Sequence, residues 1–161
     1  MKIAAIAAAC AVLMNANLSW AQDQQTAPVG ALRDSAKERR FDLRFGMGAP
    51  MAASLSLSGR PFKQPVALDA GLWFFVDTEG SFLRAGWTFG LLDRRDAAGK
   101  GPTLEATPML GVVGARIDEG GGESTVHIAA EAVANFDCTW WLFDGFGLGA
   151  TLTVGGMYVP E

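Results

Sequence analysis

Residues 66–76 read VALDAGLWFFV and residues 81–92 read SFLRAGWTFGLL. Val66, Leu68, Ala70, Leu72, Phe74 and Val76 fall on every second position, as do Leu83, Ala85, Trp87, Phe89 and Leu91. A period of two means β-strand, because successive strand side chains point to opposite faces. Asp77-Thr78-Glu79-Gly80 interrupts the two runs and predicts a hairpin turn. One face of this hairpin is oily. The other is small, with a single charge per strand, Asp69 and Arg84. A soluble sheet would show water many more Lys, Glu and Gln. An oily outer face with a small-polar inner face suits a barrel wall in lipid.

The same alternation extends in both directions. Apolar residues hold phase from Phe41 to Leu57, with Asp42, Arg44 and the serines Ser54, Ser56 and Ser58 between them. Retained phase favours one long strand, since a one-residue slip reverses every side chain. Pro50 counts against it and favours two short strands turning near Gly48-Ala49-Pro50. Thr103 to Ile117 places Leu104, Ala106, Pro108, Leu110 and Val112 opposite Thr103, Glu105, Thr107 and Gly111, with a bulge expected around Gly111 and Gly114. Gly120-Gly121-Gly122 predicts a turn. Val126 to Leu142 then alternates against His127, Glu131, Asn135, Asp137 and Thr139. Asp144-Gly145 is a favoured hairpin pair, and Phe146 to Val154 alternates with Gly and Thr.

Ahead of the patterned region, Met1-Lys2 begins a basic start and Ile3 to Met14 is apolar or small. Ser19-Trp20-Ala21 supplies small residues at the spacing of a leader cleavage site, so residues 1–21 read as a secretory signal peptide. The rival cut lies at Ala7-Ala8-Ala9-Cys10, with Cys10 lipidated, although the apolar run before it is short. Residues 22–40 read as a polar, flexible segment, and residues 41–161 as the barrel domain. Loss of the leader leaves Cys138 as the one thiol, read as an apolar wall residue with no disulfide to form. Net charge is −4 with no basic cluster, which argues against a nucleic-acid partner.

The leader, the alternation and the aromatics near strand ends (Trp73, Phe75, Trp140, Trp141, Phe143, Phe146 and Tyr158) together resemble small bacterial outer-membrane β-barrels. The resemblance is one of pattern and covers Phe41 to Tyr158. It implies an all-β, antiparallel, up-and-down transmembrane-type barrel in the outer membrane of a Gram-negative envelope. Its partner would be membrane lipid, and it would need no cofactor. Two features depart from that class. Its last strand usually ends in an aromatic residue, whereas this chain ends Met157-Tyr158-Val159-Pro160-Glu161. The runs also give six long strands, as in a chain lacking its closing hairpin, or eight if Phe41–Ser58 and Ser124–Phe143 are both split. With the N-terminus in the periplasm, the six-strand count puts residues 59–65 and 93–102 outside, where a surface ligand would meet them.

Within such a barrel Asp42, Arg44, Asp69, Arg84, Glu105, His127 and Glu131 would face the lumen and pair there, because buried charge must be compensated. The resulting reading is a barrel with a structural or surface-interaction role, neither an open pore nor an enzyme. Two alternatives stand beside it. A secreted soluble barrel binding an apolar ligand would turn the oily face inward. A membrane-embedded hydrolase would rest on His127, with Glu131 four residues along the same face. One His and scattered carboxylates do not make a metal site.

Overall fold

The computed structural model describes residues 13–21, 39–48, 52–62, 64–75, 78–118, 124–143 and 145–158. Of the expected polar segment 22–40, residues 22–38 lie outside them, as do the glycine run at 120–122 and Asp144 of the expected hairpin pair, while Arg40 belongs to a strand and not to that segment. The described residues form nine strand segments: β1 (Leu13–Ala21), β2 (Arg40–Gly48), β3 (Ala52–Arg60), β4 (Val66–Phe75), β5 (Thr78–Trp87), β6 (Phe89–Asp93), β7 (Gly101–Asp118), β8 (Ser124–Phe143) and β9 (Phe146–Tyr158). β1 to β5 pair antiparallel in chain order, each with the next, as do β6 to β9. β1 pairs with β9, and β5 pairs with β7. The sheet therefore closes on itself. β5 and β6 act as one stave, both laid along β7, so the wall is a closed, up-and-down, antiparallel barrel of eight staves.

The eighth stave does not arise as the sequence suggests. The run from Phe41 does break into two strands, β2 and β3, across residues 49–51, which contain Pro50. Ser124–Phe143 does not break; β8 is one strand of 20 residues. The missing stave is β1, built from residues that read as the end of the leader. It aligns Leu13–Ala21 with Arg40–Gly48 on one side and Leu13–Trp20 with Phe146–Thr153 on the other.

The expected bulge at Gly111 and Gly114 is absent, since β7 pairs in unbroken register with β8 along its whole length. Gly111 has a different task. A Cβ there would come within 2.7 Å of Arg84 Cγ, so the missing side chain gives Arg84 its path across the lumen. The register shift along β7 falls instead between Gly90 and Leu92 of β6, and the β5–β6 stave is interrupted opposite Pro108 without a change of register. β5 ends opposite Met109 and β6 resumes opposite Ala106. Thr88 N–H donates to Pro65 O at 2.7 Å, which continues the pairing with β4, while Pro108 has no N–H to offer the β5–β6 stave.

Connections 22–39, 61–65, 94–100 and 144–145 lie at one end of the barrel. Connections 49–51, 76–77 and 119–123 lie at the other, with the start of β1 and the end of β9. The surface loops expected at 59–65 and 93–102 are thus shorter than drawn, because Gly59, Arg60, Asp93, Gly101 and Pro102 belong to strands. The oily residues face out: Leu83 is 59% exposed, Leu110 72% and Leu152 39%. Arg84, Thr88, Thr151 and Thr153 face in and are buried.

Candidate functional site: a charged lumen closed at both ends

The interior is polar, and the strand period decides it. Arg40, Asp42 and Arg44 occupy alternate positions of β2, so all three side chains enter the lumen, where each is buried. Arg60 follows Ser56 and Ser58 on the inward face of β3, Asp69 enters from β4 and Arg84 from β5. Glu105 enters from β7, and Glu131, Asn135 and Asp137 from β8. β1 contributes Asn17 and Ser19.

These groups form one connected network. Arg40 donates Nε–H to Asp42 at 2.6 Å, Nη1–H to Glu105 at 2.9 Å, and Nη2–H to Ser19 Oγ at 3.1 Å and Thr139 Oγ1 at 2.6 Å. Arg60 reaches the other Glu105 oxygen at 3.1 Å. Arg44 donates to Asp137 at 2.9 Å and lies 3.7 Å from both Asp42 and Asp69. Arg84 grips Glu131 as a fork, Nε to Oε1 at 2.7 Å and Nη2 to Oε2 at 3.0 Å, while Nη1 lies 3.5 Å from Asp69. Planar guanidinium and carboxylate groups match in this bidentate way, which fixes direction as well as charge. Thr151 donates to Asp137, and Asn17 Nδ2–H donates to Thr151. The linkage runs between staves far apart in sequence and so ties opposite walls together.

An aromatic group closes each end. Trp141 is 1% exposed and sits inside at the end bearing connection 94–100. Its Nε1–H donates to Thr103 Oγ1 at 3.1 Å. The guanidinium carbons of Arg40 and Arg95 lie 5.4 and 5.6 Å from its ring centre. At the opposite end Phe82, Val113 and Ala129 form a small apolar cluster with Trp73 packed on it. Arg84 caps that cluster, 3.9 Å above the Phe82 ring. Between the two plugs a void of about 10 Å³, bordered by Asp42, Arg44, Arg60, Glu105 and Asp137, has room for a single water. Arg44 Nε is buried with no partner among the described residues.

Six of the seven expected lumen residues meet in this network; His127 does not. It shares their inward phase on β8 but lies exposed near the strand's start, beyond the closed section, opposite Ala115. Arg40, Arg60 and Asp137 belong to the network, and the expected set lacked them. The signal for Arg40 was its phase with Asp42 and Arg44, and for Arg60 its phase with Ser56 and Ser58. Of the expected interface aromatics, Trp140, Phe143 and Tyr158 lie exposed on the outside. Phe146 joins them, stacked on Phe143 at 5.1 Å and edge-on to Trp20 at 6.1 Å. Trp73 and Trp141 turn inward and form parts of the two plugs. Phe75 lies in β4, but its side chain is outside the described set.

Chemically the lumen offers arginines held by carboxylates, and the guanidinium does not act as a base at neutral pH. No group of three His, Cys, Asp or Glu suited to a metal ion occurs among the described residues. Cys138 lies on the outer wall, exposed and unbridged. Comparison with protein-family models, curated proteins and solved structures gave no match. The chain is a small, closed, eight-stave antiparallel β-barrel whose charge is turned inward.

Proposed function

We propose that this barrel spans an outer membrane, as a plugged, non-conducting wall element whose longer connections act at the surface. The observation that carries the reading is the inverted surface. Large apolar side chains from every stave are exposed, among them Trp20, Phe45, Leu57, Leu72, Leu83, Leu110, Phe136 and Leu152, while the charged network is internal. Outward charge among the described strand residues includes Glu79 and Arg116, which pair with each other at 3.7 Å near the end bearing connection 76–77. In water such an exterior would aggregate; in hydrocarbon it is the expected solvent-facing surface. Ring closure supports the same reading, because a strand edge left open in lipid would strand its backbone polar groups.

The distribution of connections supports one orientation in that membrane. The two longest connections, 22–39 and 94–100, share one end with 61–65 and the short 144–145, as extracellular loops do, and 49–51, 76–77 and 119–123 share the periplasmic end. A surface ligand would meet the first group. The soluble alternative with an apolar ligand requires a greasy interior, and the described interior is polar. The hydrolase alternative requires His127 to be oriented by an acid. Exposed His127 has a neighbour of inward phase in Glu131, which Arg84 already engages.

Fractionation with brominated-lipid quenching tests the proposal. The protein is expected in the detergent-soluble outer-membrane fraction, with heat-dependent gel migration. In vesicles of brominated phospholipid the outward tryptophans Trp20, Trp87 and Trp140 should lose fluorescence, and inward Trp73 and Trp141 should retain theirs. Release by osmotic shock, or uniform absence of quenching, would overturn it.

A further inference from the structure

The segment Leu13–Ala21 satisfies the grammar of a leader cleavage site and also forms a full stave. We propose that these residues stay in the mature protein as its closing strand, and that any leader ends before Leu13. The geometry supporting this is independent of the cleavage pattern. β1 is in register along its length with both neighbours, β2 and β9. Its side chains keep the barrel's phase, with Asn17 and Ser19 buried inside and Ala16 and Trp20 exposed outside. Its inward groups are working members of the network: Ser19 accepts from Arg40, and Asn17 donates to Thr151 and lies 3.4 Å from Asp137. Outside, Trp20 meets Phe146 edge-on.

A cut after Ala21 would undo all of this together. β2 and β9 would become facing edges with no strand between them, and Arg40 and Asp137 would lose partners inside a closed-off lumen. The cost of open edges is greatest in lipid, so that part of the argument rests on the membrane reading. The loss of lumen partners does not. Of the two cuts that the sequence offers, the one ahead of Cys10 leaves β1 whole and the one after Ala21 removes it.

The test is intact-mass analysis of the full chain, carrying a C-terminal affinity tag, recovered folded from whichever envelope fraction holds it. A mature N-terminus anywhere before Leu13 is expected. One at Gln22 in the folded protein would overturn the proposal. Because the readout is a mass, it decides the question even if the protein proves not to be membrane-inserted. A second measurement uses Asn17→Leu. The variant should lower the urea midpoint of the folded protein, because a buried partner of Thr151 is lost. An unchanged midpoint would also overturn the assignment. Ala21→Leu separates the rivals again: processing should proceed unchanged, whereas accumulation of uncleaved precursor would place the cut at Ala21.

Discussion

At the scale of single residues the molecule depends on arginines that cannot be exchanged for a generic cation. Arg84 forks onto Glu131, lies near Asp69 and covers the Phe82 ring, all with one planar group. Lysine has neither the fork nor the flat face. Removing one member of such a pair leaves a buried charge without compensation, at a cost of about 3–5 kcal/mol. Arg84→Met or Glu131→Met should therefore each lower unfolding stability by roughly that much. The double variant should cost clearly less than the two single changes summed, since neither charge is then left alone. Urea titration of the folded protein in detergent measures all three. Additive losses would mean that the fork is not an interacting unit.

The same scale shows why some residues were hard to read. Trp140 and Trp141 are adjacent, so a period of two must send one out and the other in. Proximity to a strand end hid this, because aromatics there suggest an interface girdle whichever way they point. Arg40 closes the charged run Lys37-Glu38-Arg39-Arg40, which falls in the segment 22–40 that reads as polar and flexible. Its parity with Asp42 and Arg44 was the one sign that it belonged inside.

At the scale of elements, alternation revealed most of the staves and left their ends obscure. β4, β5, β8 and β9 follow the apolar phase closely, since outward side chains have no internal packing to distort the pattern. β1 was obscured by overlap: the small residues of Ser19-Trp20-Ala21 serve strand and cleavage signal alike. Strand boundaries around Gly59 and Pro102 were missed because Gly and Pro signal loops, yet here they sit in strand ends. The depth of each stave in the proposed bilayer makes a graded prediction. Leu152 pairs with Met14 and Phe136 within the wall, while Tyr158 ends β9. Leu152→Arg should cost about 2–4 kcal/mol, and Tyr158→Arg about 0–1 kcal/mol, because the penalty for an outward charge declines from midplane to interface. Refolding equilibria into phospholipid vesicles give both values. Equal costs at the two depths would count against a lipid-facing wall.

For the whole molecule, the consequence of an eight-stave wall is that side chains fill the interior. A barrel of this size has a lumen about as wide as its own residues need, and here they are arranged as layers in series. Trp141 closes one end, the Arg40, Arg44 and Arg60 layer follows, then Arg84 with Glu131 and Asp69, and the Phe82 cluster closes the other end. An ion crossing this path would have to displace several buried pairs in turn, and each layer alone is enough to stop it. The protein should therefore give no current steps in a planar bilayer. The layers are also redundant. Trp141→Ala removes one plug but leaves the arginine layers spanning the section, so it too should stay silent while losing stability. Arg40 and Arg95 would lose the ring they lie over, and Thr103 its donor. Removing a large buried aromatic side chain costs about 3–5 kcal/mol, so the variant's urea midpoint should fall by a corresponding amount. Discrete conductance in the Trp141→Ala variant would show that the indole alone holds the lumen shut and that the charged layers beneath it are wet and passable.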